Sequence, residues 1–355
     1  MVTLKDISRS LGLSITTVSR ALNGFPEVNE ETRKLVASRA EELGYRPNKF
    51  AQKLVTGRSG LVGIVLKAPP DLVIDKLFVE MLTGLSAVFS TMDRDFVLNI
   101  TSEAEEMTAI RRLVARGTLD GFILTEPRAN DPRVDFLTEK GARFVLHGRV
   151  TGNESYPFYD IDNIAVGAVS ARHLLSLGHR RIAYLNGTPD ACYALERQTG
   201  WLAAHDQAGV AVDPALMFFG LGTGDHGNAL LHRLLAGPDR PTAVICHNTQ
   251  VATEVYAAAA DLGLRIPADL SVVAHDDGLP GIDAAAFDPP LTVTSCPIRR
   301  AIAPLARILD GCIAGEPLDK LQEIDTFVFL DRASTAAPAP AGPGVSRALA
   351  PAGGP

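Results

Sequence analysis

Much of what marks catalytic, secreted or membrane proteins is missing from this 355-residue chain. It has four cysteines, Cys192, Cys246, Cys296 and Cys312, and no Cys-x-x-Cys pair or histidine-rich partner pattern beside them. Such spacing argues against a disulfide framework and a zinc site and points to reduced core thiols. No apolar run approaches the length of a membrane span, and the first residues lack the apolar stretch of a signal peptide. A cytoplasmic protein without membrane contact is therefore expected. Glycine-rich phosphate loops, a nucleophile elbow and metal-ligand spacings are absent, so no enzyme activity, cofactor or metal is expected. After Arg332 the chain reads ASTAAPAPAGPGVSRALAPAGGP, too poor in bulky apolar residues to order itself, so 333–355 is expected to be a disordered tail. That tail also lacks leucine heptads, so no coiled-coil assembly through it is expected.

What is present divides unevenly. The hydrophobic share of 46% supports a large core, and the length suits a small domain followed by a larger two-lobed body. Residues 1–58 carry ten Lys/Arg against six Asp/Glu, about +4, which leaves −11 on the remainder of a chain whose net charge is −7. A basic terminal module on an acidic body suggests a polyanion at one end only.

That module reads as three helices. Thr3 and Asp6 have capping-box spacing, Leu4, Ile7, Ser8 and Leu11 form one face, and Gly12 stops the first helix. Ser14 can cap a second helix in which Val18 and Leu22 point inward, so Ile15, Thr16 and Arg20 point outward near its start. Short side chains and one arginine there suit a major groove, where Arg20 can pair bidentately with guanine. Asn29 caps a third helix, with Leu35, Val36, Ala40 and Leu43 expected to close the small core. By itself this pattern leaves open a helical bundle that binds no nucleic acid.

The segment TLKDISRSLGLSITTVSRALNG resembles the headpiece of the LacI/GalR family of transcriptional regulators, and GYRPNKFAQKLVTGRSG closely resembles its hinge. The resemblance implies a hinge that folds on DNA, with Leu54 wedged between central base pairs. Candidate DNA contacts are Thr3, Ser14, Ile15, Thr16, Thr17, Ser19, Arg20 and Asn23 in the headpiece. In the hinge they are Asn48, Ala51 and Leu54.

From residue 61 onward, apolar runs such as LVGIVLKA, DFVLNIT, GFILTE, RFVLHGR, RIAYLNG, AVICHN, SVVAHDD and LTVTSC alternate with helical patterns. Runs of this kind predict parallel sheets covered on both faces, which bind ligands beyond the carboxyl ends of their strands. The family resemblance extends to about residue 332 and implies an α/β fold of two Rossmann-like lobes, as in periplasmic sugar-binding proteins. The expected divisions are a headpiece at 1–46, a hinge at 47–60 and a body at 61–332. Within the body, the N-lobe takes 61–162 and 292–324 and the C-lobe 163–290 and 325–332, with crossings near Ile161–Ile164, Pro290–Thr292 and Ile324–Phe327.

By resemblance, Arg197 of the stretch RQTGW and Asp276 after SVVA are effector ligands, the arginine forking onto vicinal hydroxyls or a carboxylate. Each also has a plainer use, as an exposed helix arginine and a helix cap. Departures from the family pattern matter as well. Asn248 is followed by Thr249 and not by aspartate, and Ala274-His275 replaces a glycine-aromatic pair. Gly222 falls where an aromatic platform is frequent, and Asp75-Lys76-Leu77-Phe78 replaces Asn-Pro-Phe-Phe. His147 and Arg149 lie at a strand end, in a stretch similar to the α-glucoside- and α-galactoside-associated subgroup. The effector candidates are thus Asp75, Phe78, His147, Arg149, Arg197, Asn248, His275 and Asp276.

The resulting expectation is a homodimeric regulator, a repressor released from palindromic operator DNA by a mono- or disaccharide. It would be cytoplasmic and sit on the nucleoid when bound. A corepressor-dependent regulator, a sugar-binding module without a DNA role, and an enzyme using Asp276, Arg197 and His275 remain as alternatives.

Overall fold

The computed structural model describes residues 2–45, 58–67, 76–152, 154–220, 225–237 and 239–339. The headpiece contains α1 (Leu4–Leu11), α2 (Ile15–Leu22) and α3 (Glu30–Glu42). Local chemistry sets each boundary. The Asp6 carboxylate accepts the Thr3 backbone N–H at 3.0 Å and its hydroxyl at 2.7 Å. Gly12 ends α1 with φ +66°, a conformation that glycine adopts without a Cβ penalty. Ser14 Oγ accepts the Thr17 N–H at 3.0 Å and Asn29 Oδ1 accepts the Thr32 N–H at 2.8 Å, supplying orphan amides of α2 and α3. Ile7, Val18, Ala21, Val28, Val36 and Ala40 form the core. Leu35 does not join it and is 53% exposed, because Val36, Ala40 and Leu43 already occupy the inward stripe and Leu35 lies about 100° around the helix from Val36.

Two six-stranded sheets make the body. The first contains β1 (Leu61–Lys67), β2 (Asp95–Thr101), β3 (Gly121–Thr125), β4 (Phe144–His147), β5 (Phe158–Ile161) and β11 (Gln322–Asp325), all parallel, in the order β11-β5-β4-β3-β1-β2. Helices α4 (Lys76–Thr91), α5 (Glu106–Arg116) and α6 (Pro132–Glu139) belong to this N-lobe. The second sheet contains β6 (Ile182–Asn186), β7 (Met217–Phe219), β8 (Ala243–Cys246), β9 (Ser271–Asp276), β10 (Thr292–Ser295) and β12 (Val328–Leu330) in the order β12-β10-β9-β8-β6-β7. Its helices are α7 (Asn163–Ser176), α8 (Cys192–Gln207), α9 (Asp225–Ala236) and α10 (Thr249–Asp261). Helix α11 (Arg299–Ala314) returns to the N-lobe, where Ile302, Leu305 and Leu309 pack with Val62, Ile64 and Leu85. On the opposite face of that sheet, Val65, Phe122 and Leu124 pack with Ile110 and Leu137. Both faces are thus covered, as continuous apolar strands require.

Three expectations need correction. The run LTVTSC forms β10 in the C-lobe sheet, paired with β9 from Thr292↔Val273 to Ser295↔Asp276. The chain therefore crosses at 296–298, not near Pro290–Thr292, and the returning N-lobe segment starts with α11 and not at residue 292. An apolar strand carries no label for the sheet it joins; interstrand pairing decides that. Next, Asp325 pairs with Ile161 and so sits on the N-lobe side, one residue beyond the expected bound at 324. Finally, the tail does not begin at 333. Ser334 is fully buried, its Oγ donating to Val272 O at 2.6 Å and accepting the Thr292 N–H at 2.8 Å. Ala336 accepts from Ser271 Oγ at 3.1 Å and lies 2.9 Å from His179 Nε2. Backbone and hydroxyl groups at the ends of β9 and β10 hold this stretch, a force that composition does not register. Residues 340–355 lie outside the described residues.

Candidate nucleic-acid interface and interlobe cleft

On the headpiece, Ser14, Ile15, Thr16 and Arg20 are exposed along the first turns of α2, Ile15 at 47%. Other headpiece arginines are engaged: Arg9 with Asp6 at 3.7 Å, Arg33 with Glu30 at 3.0 Å and Arg39 with Glu42 at 2.7 Å. Among the described residues, Arg20 has no such carboxylate partner, which leaves its guanidinium to face outward. Thr17, Ser19 and Asn23 are half-buried; the Thr17 hydroxyl shares a 2.8 Å bond with Ser14 Oγ, and Asn23 Nδ2 donates to Ser19 O at 2.7 Å. These three and Thr3, whose hydroxyl is bound to Asp6, shape the surface. The hinge candidates Asn48, Ala51 and Leu54 lie outside the described residues.

The second site lies between the lobes, at the carboxyl ends of the strands. Arg197 comes from α8, and Gly200 lets that helix approach α7: a Cβ at Gly200 would stand 1.9 Å from Ile164 O. The close crossing brings Arg197 Nε to Asn163 Oδ1 at 2.9 Å, while one terminal nitrogen donates to His247 O at 3.0 Å. Its guanidinium carbon lies 5.2 Å from the Tyr193 ring centroid. The arginine is therefore buried and aimed, not a solvated helix residue.

The two adjacent aspartates separate into different roles. Asp276 is turned to local structure, accepting the Gly278 N–H at 2.9 Å and the Ser295 hydroxyl at 3.4 Å. Asp277 faces the imidazoles, with Oδ1 at 3.3 Å from His275 Nε2, and His275 Nδ1 is 3.0 Å from Thr294 Oγ1. Burial raises the Asp277 pKa, but His275, Arg197 and His247 outweigh it and hold the carboxyl below its ordinary value. Asp277 was missed as a site residue, although His275 and Asp277 are two apart at a strand end and so project to one side.

His147 at the end of β4 stacks on Tyr159 with ring centroids 6.2 Å apart. Burial lowers its pKa to about 4, with Asp277 pulling weakly the other way. That interaction reaches from the N-lobe to the C-lobe. His247, also missed, is lowered to about 4 by burial and by Arg197, and its Nδ1 is buried without a hydrogen-bond partner among the described residues. Thr249 Oγ1 is likewise unpartnered. Asn248 Oδ1 caps α10 by accepting the Val251 N–H at 2.9 Å, which leaves its amide hydrogens and one carbonyl lone pair for another partner. Asp75 is outside the described residues, and Phe78 is described in its backbone alone.

Arg149 is not the free donor that its strand-end position suggested. Its Nε is 3.3 Å from Glu196 Oε1, and Nη1 is 3.5 Å from Asp160 Oδ2. Thr151 Oγ1 also donates to Glu196, at 2.5 Å. Because Glu196 is on α8, this buried cluster ties the N-lobe to the C-lobe. Burial pushes the Asp160 carboxyl up to about 7; Arg149 opposes the rise and Glu196 adds to it. Asp160 Oδ1 accepts from Asn163 Nδ2 at 3.1 Å, so polar contacts continue from Arg149 through Asp160 and Asn163 to Arg197. Arg128 with Asp190 at 3.1 Å, and the Cys192 N–H to Pro127 O at 2.9 Å, add contacts across the same boundary.

Two sequence profiles match: "bacterial regulatory proteins, lacI family" over residues 3–48 and "periplasmic binding protein-like domain" over 171–335. The chain is 41% identical to the HTH-type transcriptional regulator AglR of Rhizobium meliloti, over 96% of this chain and 95% of that protein. It is 31% identical to CelR of Thermobifida fusca, over 90% of this chain and 94% of that one. Among solved structures, a transcriptional regulator CelR–cellobiose complex superposes with TM-score 0.68 at 28% identity, covering 94% of this chain and all of that one. A lac repressor dimer bound to operator and an anti-inducer shares the fold, with TM-score 0.75 at 24% identity over 95% of this chain and 99% of that one. The headpiece, the two-lobed body and this breadth of similarity lead to one assignment: the chain belongs to the lacI family of bacterial regulatory proteins and is a DNA-binding transcriptional regulator.

Proposed function

We propose that the protein is a repressor that leaves a palindromic operator when a neutral mono- or disaccharide enters the interlobe cleft. The observation that carries this reading is the origin of the cleft's polar groups: His147 comes from the N-lobe and Arg197, His247, His275 and Asp277 from the C-lobe. A molecule touching both sets changes its contacts when the lobes move, so it biases lobe geometry. A carboxylate beside neutral imidazoles and a fixed guanidinium suits hydroxyl groups, the first as acceptor and the last as a fork for vicinal oxygens. The solved CelR relative is a cellobiose complex, in keeping with a disaccharide here.

Ile15, Thr16 and Arg20 would read the major groove, with residues 47–60 as hinge and Leu54 at the operator centre. Two headpieces are needed for a palindrome, which calls for a second copy of the chain. A groove of about 530 Å³ between α4 and β2, lined by Leu82, Ala87, Phe96 and Leu98, supports such pairing. Beside it the edge strand leaves Ile100 60% exposed. A repressor of this kind would act in the cytoplasm, on the chromosome when bound.

The test begins with selection of a binding duplex from a random library. Operator affinity is then measured at fixed salt with glucose, galactose, cellobiose, maltose or melibiose. One sugar should weaken binding by about 5- to 150-fold, the usual range of allosteric coupling. The same sugar at about 100 Kd should stabilise the protein by about 2.7 kcal/mol, and Arg197→Ala should abolish that gain. A sugar that strengthens binding would make the protein corepressor-dependent, and failure to select any duplex would defeat the reading.

A further inference from the structure

Where the hinge segment meets the N-lobe, Ser59 and Gly60 are gripped by one side chain. Asp120 Oδ1 accepts the Ser59 N–H at 2.6 Å and its hydroxyl at 2.9 Å, while Oδ2 accepts the Gly60 N–H at 2.8 Å. Asp120 is itself paired with Arg94 at 3.3 Å, and Arg94 Nε reaches Asp310 Oδ1 on α11 at 2.9 Å. Arg58 also donates to Ile313 O, in the last turn of that helix, at 3.1 Å. The Asp120 and Arg94 side chains are 7% and 12% exposed, so this grip is held out of water.

At the other end of α11, the crossing segment is fastened to the cleft. The Cys296 N–H donates to Asp276 O at 3.1 Å and the Ile298 N–H to Asp277 O at 2.8 Å. Pro297 seats on Gly278 so closely that a Cβ there would stand 2.7 Å from Pro297 Cβ. Between its ends the 16-residue helix spans about 24 Å. Pro304 removes one rung midway, but both halves are seated on glycines: a Cβ at Gly84 would be 2.2 Å from Ile302 Cδ1, and one at Gly121 would be 2.7 Å from Leu309 Cδ1.

We infer that Asp120 is the positioning residue for the root of the DNA-binding hinge, and that α11 connects this grip to the Asp276–Asp277 end of the cleft. The connection is contiguous, from β9 backbone through residues 296–298 and α11 to Asp310, Arg94, Asp120 and Ser59. Residues 296–298 are bonded to the C-lobe end of β9 while both halves of α11 pack on the N-lobe, so relative lobe motion would act on the helix through its first turn. The inference rests on the two-lobed switch proposed above, yet its test uses neither DNA nor sugar, so the two can fail separately.

Amide hydrogen exchange of the full-length protein is the readout. In Asp120→Asn, the Ser59 and Gly60 amides should exchange at least tenfold faster; wild-type rates would remove Asp120 from the role. In Gly278→Ala, which presses on Pro297, the same two amides should change at least threefold. Leu216→Ala, a C-lobe core variant away from α11, should leave them unchanged. Local change at Cys296 and Ile298 with Ser59 and Gly60 unaltered would overturn the connection, as would an equal response in Leu216→Ala. If Gly278→Ala does not fold, Asp310→Asn reads the path in reverse: the Ile298 amide should change, and constancy there would overturn it.

Discussion

The headpiece presents Ile15, Thr16 and Arg20 from a helix whose cap, core contacts and end all arise within about forty residues, whereas the cleft gathers His147, Arg197, His247 and Asp277 across some 130 residues and two sheets. On the first surface the candidate contacts are exposed, and on the second they are buried or half-buried, with Arg197 already bonded to His247 O. A partner as large as a duplex can be met by a convex surface, so the headpiece needs only a small core of six residues behind it. A ligand of a few ångströms needs convergent groups, and convergence demands long-range packing such as the α7–α8 crossing at Gly200. Damage should therefore stay within one region when it strikes the headpiece and spread through the body when it strikes the cleft.

The most drastic break in this comparison is Val18→Asp. A buried, unpaired carboxylate in so small a core should cost about 4 kcal/mol, enough to unfold the headpiece. DNA binding should vanish while the body's thermal transition stays in place; a shifted body transition would mean that the two regions are energetically linked. Next comes Glu196→Ala, which leaves Arg149 with Asp160 and the partly exposed Glu154. Losing one partner of this buried pair should destabilise the body by about 3 kcal/mol and spare the headpiece. An unchanged denaturant midpoint would show that Asp160 and Glu154 suffice.

Acid sharpens the contrast further, because the deeply shifted groups belong to the cleft. His147 and His247 have pKa values lowered to about 4, so unfolding lets them take up protons below their ordinary value of 6.5. Their contribution to stability is complete above about pH 6.5 and is lost as pH falls toward 4. Asp160, raised to about 7, holds its proton in the fold across the range where the unfolded chain has lost it, and so favours the fold as pH drops. Between roughly pH 7 and 5 the imidazoles and Asp160 therefore act on the body's stability in opposite directions. Asp160→Asn removes the opposing contribution, so its melting temperature should fall more steeply; parallel curves would refute a protonated Asp160. The mildest change is Ser14→Ala, which deletes the α2 cap and should cost about 1 kcal/mol in the headpiece alone. A loss seen in the body transition would contradict that locality.

The same division explains which residues could be read beforehand. Ser14, Asn29 and Gly12 announce helix ends because each acts on amides or carbonyls a few positions away. Most strands of the body were visible as apolar runs, and β2 coincides with DFVLNIT. Arg197 and His275 were found, yet their settings were not: Arg197 is aimed by Asn163, 34 residues away, and His275 by Thr294 on the neighbouring strand. Arg149 was read as a ligand donor because nothing nearby in the chain reveals that Glu196, 47 residues on, will claim it.

From residue order alone came the three capped helices and the alternation of strand and helix, while the two lobes were implied by the family resemblance. Periodicity and capping act over one or two turns, so these features travel with any local stretch of the chain. Folding in three dimensions chose which sheet β10 joins, which of two adjacent aspartates faces the cleft, and which arginine is held by the opposite lobe. Those choices depend on strand pairing and on desolvation by distant residues, and neither quantity exists until the lobes have packed.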